Sequence, residues 1–198
     1  MLSAILLAAG SSRRMGNINK LLLPYRGKPL LYSTAEQILA SGIDEMIVVT
    51  GHEQTAITAA LHPLPVRITH NPNHEEGMTT SIQAGIRLAR GEGYMICLSD
   101  MVLISSDEYA LLQHAFKEHY RSDDHCIIQP GYKGEKGNPV IFSSAYRSAI
   151  LQHQEKEGCR QILRSNPTHI VPVSMPTDHI LRDIDYPDEY RSLPLRTT

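Results

Sequence analysis

The chain has 198 residues, room for one ordinary domain with a real core. Its 19 Lys and Arg against 21 Asp and Glu give a formal net charge of −2, which excludes a global basic field for nucleic acid and a polybasic patch for a membrane. The cysteines Cys97, Cys126 and Cys159 are odd in number and lack CxxC pairing, which argues against a disulfide framework or zinc site and for a reducing compartment.

The first apolar run, residues 4–9, is expected to form a buried strand. It has no basic flank or cleavage-site pattern, and no apolar run approaches the ~20 residues of a membrane span, so no targeting peptide and a cytoplasmic protein are expected. Beyond it, periodicity predicts helices over 31–41, 54–61, 80–90 and 107–120, the last capped by Ser106. Strands are predicted over 45–50, 66–70, 94–98, 126–129, 140–142, 169–174 and 179–184. Alternating strands and helices predict one α/β domain spanning 1–198. It is expected to be three-layered, with a mostly parallel twisted sheet, helices on both faces, and some antiparallel pairing where the late strands crowd together.

In such sheets ligands bind beyond the carboxyl ends of the strands. That rule puts three loops on one rim: Gly10–Gly16 after the first strand, 50–52 after the second, and 99–100 after the fourth. The first of these runs Gly10, Ser11, Ser12, Arg13, Arg14, Met15, Gly16, with Lys20 just beyond. Glycine lets backbone N–H groups approach phosphate, hydroxyls donate hydrogen bonds, and Arg and Lys supply countercharge. The spacing matches neither a Walker A loop nor GxGxxG, and as bare chemistry the loop could also be a solvated turn.

Asp100 ends an apolar strand with no opposite charge nearby in sequence. A carboxylate there suits Mg²⁺, which takes one or two carboxylates plus substrate phosphates; the alternative is a turn or capping aspartate. Asp183 and Asp185 alternate on one face of the 179–184 strand and its end, with Ile184 opposite, and one could give the metal a second carboxylate. The segment from Gly77 and Met78 to Ser81 leads into a helix whose Thr and Ser residues can cap it or whose start can meet an anion. Ten histidines invite a metal site, but His70 and His74 flank Pro72 in a loop, and none is expected there. Cys97 lies inside a strand and reads as core.

Together these residues resemble the nucleotidyltransferases of molybdenum-cofactor maturation, in their cytidylyltransferase-like branch. The pattern Leu-Ala-Ala-Gly-x-Ser-x-Arg-Met-Gly, then Lys and Leu-Leu-Pro, is met by Leu7, Ala8, Ala9, Gly10, Ser12, Arg14, Met15 and Gly16, then Lys20 and 22–24. Asn71-Pro72 and Gly77-Met78 with Ser81 and Gly85 resemble the segment contacting base and ribose. Ser99-Asp100-Met101 resembles the metal-binding Asp-Met-Pro, with Val102 in the proline's place. Gly137-Asn138-Pro139 and Gly158-Cys159-Arg160 resemble acceptor-side motifs, where Asn138 replaces a common histidine and Lys156 an aspartate. Asp183-Ile184-Asp185 resembles the closing Asp-Ile-Asp.

The resemblance implies a nucleotide-diphospho-sugar transferase-like fold and a Mg²⁺-dependent transfer of CMP from CTP to the terminal phosphate of molybdopterin. It implies Arg14, Lys20 and Asp100 as catalytic groups, and Asp100 and Asp185 on the metal. Leu7, Ala8, Ala9, Gly10, Ser11, Ser12, Asn71, Gly77, Met78 and Ser81 would meet the nucleotide, and Asn138, Pro139, Arg160 and Asp183 the acceptor. Alternatives left open are GTP, another phosphorylated acceptor, and a non-catalytic delivery protein for a molybdoenzyme. Neither nucleic acid nor membrane is an expected partner.

Overall fold

A computed structural model describes residues 1–12, 15 and 18–194. The strands are β1 (Leu2–Ala8), β2 (Pro24–Tyr25), β3 (Lys28–Pro29), β4 (Glu45–Thr50), β5 (Arg67–His70), β6 (Gly93–Leu98), β7 (Ile127–Tyr132), β8 (Glu135–Lys136), β9 (Val140–Ser143) and β10 (Ile170–Ser174). The helices are α1 (Leu30–Ala40), α2 (Gln54–Leu61), α3 (Met78–Leu88), α4 (Ser106–His119), α5 (Arg147–Gln152), α6 (Arg160–Ser165) and α7 (Pro187–Arg191). The main sheet runs β10-β7-β9-β6-β1-β4-β5, with β8 on β7; β2 and β3 form a separate ribbon.

β1 pairs in parallel with both β4 and β6, and β4 with β5, while β9 runs antiparallel between β6 and β7. The expected mostly parallel sheet with antiparallel pairing at one side is therefore present. Alternation along β1 builds two cores. Leu2, Ala4, Leu6 and Ala8 face α1, α2 and α4, and Ile5 faces α3, α5 and α6. Helices thus cover both faces, because parallel strands joined by helices bury apolar side chains on each side. Gly85 lets α3 press onto β1, since a Cβ there would lie 2.3 Å from Ile5 Cγ2. Cys97 is buried in the first core, as its strand position predicted.

Two expectations fail. The predicted 179–184 strand is a 3-10 turn, His179–Leu181, followed by an irregular segment. Its apolar residues are buried without joining the sheet: Ile180 enters the first core, and Ile184 packs with Tyr25 of β2, Leu30 of α1 and Val102 in a third small core. The α4 cap is Ser105, not Ser106. Its hydroxyl accepts from Glu108 N at 3.3 Å while Glu108 returns a bond to Ser105 N, a reciprocal capping box.

Candidate active site

β1 and β6 lie side by side with Leu7 opposite Leu98, so the residues that follow them emerge together at the carboxyl rim. There they line a cavity of about 390 Å³: Leu7, Ala9, Gly10, Ser11 and Ser12 on one wall, Leu98, Ser99 and Asp100 on another. Two of the three loops that the strand-end rule put on this rim line the cavity, and 50–52 do not. Ala8 turns away into the core. Two bonds fix the peptide preceding Asp100: the Ser99 hydroxyl donates to Leu7 O at 2.5 Å, and Ser99 O accepts from Thr34 Oγ1 at 3.1 Å.

Lys20 opens a short 3-10 turn, Lys20–Leu22. Asn19 caps that turn by accepting from Leu21 N at 3.1 Å, and its amide donates to Glu53 at 2.7 Å. Ser12 Oγ accepts from Lys20 N at 3.2 Å, so the loop serine ties down the lysine's backbone. The lysine side chain reaches two carboxylates: Nζ stands 2.6 Å from Asp100 Oδ2 and 2.6 Å from Asp185 Oδ1. Asp100 has no opposite charge near it in sequence, and the fold supplies one from 80 residues away. Burial by itself would lower the Lys20 pKa, but the charges and hydrogen bonds of Asp100 and Asp185 outweigh it and hold the ammonium above its ordinary value. Asp183 is pushed up by burial first, and then by the negative charges of Asp100 and Asp185.

Oxygens of Asp100, Asp183 and Asp185 all lie within 4.8 Å of one another. Asp183 and Asp185 come together without a strand: the buried Ile184 between them turns both toward Asp100. Glu189 holds the peptide beyond, accepting from Asp185 N at 2.6 Å and Tyr186 N at 2.7 Å. This trio fits a divalent cation. The donors are hard carboxylate oxygens, Asp100 Oδ1 is buried with no hydrogen-bond partner, and the Lys20 ammonium already stands among them as a positive charge.

The third wall is the start of α3, with Gly77, Met78 and Ser81, and His74 beside it. Gly77 has φ 126°, and a Cβ there would meet Lys156 O at 2.8 Å; Met78 N donates to that same carbonyl at 3.0 Å. Of the two readings of this segment, capping by Thr or Ser does not occur. Thr79 donates to Glu155 O, and Thr80 donates to Asn73 O and Gly77 O. Asn71 is buried behind this wall, its amide donating to Thr80 Oγ1 at 2.9 Å and Ser81 Oγ at 3.0 Å while its carbonyl accepts from Asn73 N.

The acceptor-side residues do not converge. Asp183 joins the carboxylate trio, Arg160 faces a separate depression with Gln129 and Lys136, and Asn138 is tied to Ile180 O through its backbone N–H. Pro139 is buried behind a cis peptide. Arg14 and Gly16 lie outside the described residues. Leu21, Leu98, Ser99 and His74 line the cavity without having been singled out as ligand contacts. Leu98 and Ser99 were within reach of the strand-end rule, while nothing local marked Leu21 or His74.

Residues 4–171 match the MobA-like NTP transferase domain. The chain belongs to that family. Membership places it among nucleotidyltransferases. The chain is 27% identical over 195 residues to nicotine blue oxidoreductase of Paenarthrobacter nicotinovorans, covering 96% of each. It is 25% identical over 198 residues to the molybdenum cofactor cytidylyltransferase of Escherichia coli K12, covering 100% of this chain and 97% of that one. Among solved structures, a nucleotidyl transferase from Methanothermobacter superposes with a TM-score of 0.84 at 23% identity, covering 96% of this chain and 94% of the other. That likeness shows the nucleotide-diphospho-sugar transferase fold.

Proposed function

We propose that this family member transfers CMP from CTP to the terminal phosphate of molybdopterin, releasing pyrophosphate, as a single-domain cytoplasmic enzyme. The observation that carries the reading is the Lys20 ammonium held between Asp100 and Asp185 at the mouth of the β1 loop, the charge layout a triphosphate and its cation require. The full-length similarity to a molybdenum cofactor cytidylyltransferase supports the acceptor and the nucleotide.

A phosphate monoester has a second pKa near ~6, so the nucleophile is already an anion and needs no general base. Its oxygen forms a bond to the α-phosphorus of CTP as the bond to the β-phosphate oxygen breaks. The protein's work is to bring two anions into line and stabilise the departing pyrophosphate. In this reading the backbone of Ala9 and Gly10 with the hydroxyls of Ser11 and Ser12 cradles the triphosphate, and Lys20, with Arg14, supplies positive charge. Gly77, Met78 and Ser81 hold the ribose and base. Asp100 and Asp185, with Asp183 beside them, would hold Mg²⁺, which when bound neutralises charge on the phosphates.

The nicotine blue relative bears an oxidoreductase name, but the lysine–carboxylate arrangement here favours transfer. Pyrophosphate release measured with CTP, GTP and ATP, each with molybdopterin, tests the reading. Release fastest with CTP is expected. Release only with GTP would move the protein to the guanylyl branch, and none with any nucleotide would leave a delivery protein.

A further inference from the structure

We propose that Lys20 is the exchangeable counter-ion of the carboxylate trio. In the free protein it occupies the oxygens a divalent cation needs, and it yields them only when a nucleoside triphosphate arrives. The inference deepens the transfer reading and rests on it for the nucleotide. It implies that the substrate taken up is the metal–nucleotide complex and that the metal does not bind first.

The geometry sets up a competition. Asp100 Oδ2 and Asp185 Oδ1 are each 2.6 Å from Nζ, and the three side chains are only 12%, 15% and 27% exposed, so water screens them poorly. A divalent cation taking these two oxygens would press against the ammonium. Yet the ammonium leaves part of the trio without a partner among the described residues. Asp100 Oδ1 is buried without a hydrogen-bond partner, and the Asp183 carboxylate stands within the same 4.8 Å group. The site therefore attracts a second positive charge while the best-placed oxygens are taken.

A triphosphate resolves the conflict. Lys20 lines the same cavity as Gly10, Ser11 and Ser12, so phosphate oxygens bound by that loop would offer Nζ new acceptors. The backbone of Lys20 is anchored to Ser12 Oγ, so its flexible four-carbon stem can swing while its origin stays in place. Metal and nucleotide then favour each other through the lysine, and the coupling must be reciprocal.

The test uses Mn²⁺ as a spectroscopic probe of the full chain without nucleotide, titrated by electron paramagnetic resonance. Lys20→Met is expected to bind Mn²⁺ at least tenfold more tightly than wild type, and adding Asp100→Asn to that variant should abolish the gain. Equal or weaker binding by Lys20→Met overturns the proposal. A second readout needs no variant: wild type with a non-hydrolysable CTP analogue should hold Mn²⁺ at least tenfold more tightly than either protein or analogue alone. Mn²⁺ binding by wild type that is equally tight without the analogue overturns the proposal as well. Nucleotide binding without the Lys20→Met gain sinks this proposal only. The gain without any nucleotide binding sinks the transfer reading and with it the handover to phosphate.

Discussion

Asp100 and Asp185 meet at one ammonium, yet the chain holds them in opposite ways. Asp100 follows β6, a strand paired on both sides, and its approach is fixed by backbone register and by Ser99 bonding to Leu7 O. Asp185 lies on an irregular segment outside the sheet, held by side chains: Ile184 plugged among Tyr25, Leu30 and Val102, Glu189 capping the peptide beyond, and Glu108 gripping Thr177 and His179 before it. A paired central strand opens only with the whole fold, whereas a segment held by a few side chains can open locally. One half of the cation site is thus built into the sheet and the other is clasped onto it.

Removing one carboxylate at a time gives the largest expected effects. Asp100→Asn keeps the side-chain shape while removing the fixed charge, and turnover should fall by about 10²–10³, the scale of losing one preorganised electrostatic group. Asp185→Asn should cost about tenfold less, because the clasped segment can shift and Asp183 stands beside it. Pyrophosphate release under saturating nucleotide measures both. Equal losses would mean that the two halves are equally rigid and would end the distinction.

The same contrast explains what was legible beforehand. β1, β4 and β6 are apolar runs whose continuity marks them directly, and the rim of β1 and β6 brought 7–12 and 99–100 together. The 179–184 segment also alternates, and Ile180 and Ile184 are buried in the first and third cores, but it forms no ladder with a neighbouring strand, so the periodicity was genuine and the strand was not. The Lys20–Asp100 contact spans 80 residues and leaves no local trace. Asn71 was expected at the nucleotide from the family resemblance alone, and in the fold its side chain bonds Asn73, Thr80 and Ser81.

Breaking the plug should separate stability from chemistry. Ile184 is 3% exposed, and truncating a buried isoleucine to alanine typically costs about 2–5 kcal/mol. In Ile184→Ala the loss should be at the low end, about 2 kcal/mol, because the small third core can collapse. Hydrogen exchange should show lost protection over 182–194 with β6 unchanged. Uniform loss across both regions would show that the tail is part of the main cooperative unit.

The smallest effect tests the clasp at its far end. Glu108 is 4% exposed and accepts from Ser105 N, Thr177 Oγ1 at 2.6 Å and His179 Nδ1 at 3.0 Å. Burial would raise its pKa, but these hydrogen bonds outweigh it and hold the carboxyl below the ordinary 4.5. A carboxylate lowered in the folded state contributes stability that is complete above its unfolded value and is lost as pH falls through the folded one. Wild type should therefore lose stability below about pH 4.5 in part through this group. Glu108→Gln should start about 1.5 kcal/mol less stable at neutral pH, the low end for a hydrogen bond to a charged group because the amide oxygen still accepts, and should show a shallower acid slope. Thermal unfolding of both proteins from pH 7 to pH 3 would show it. Parallel curves would mean that the glutamate holds α4 alone and that the segment leading to Asp185 is fastened only by Ile184 and Glu189.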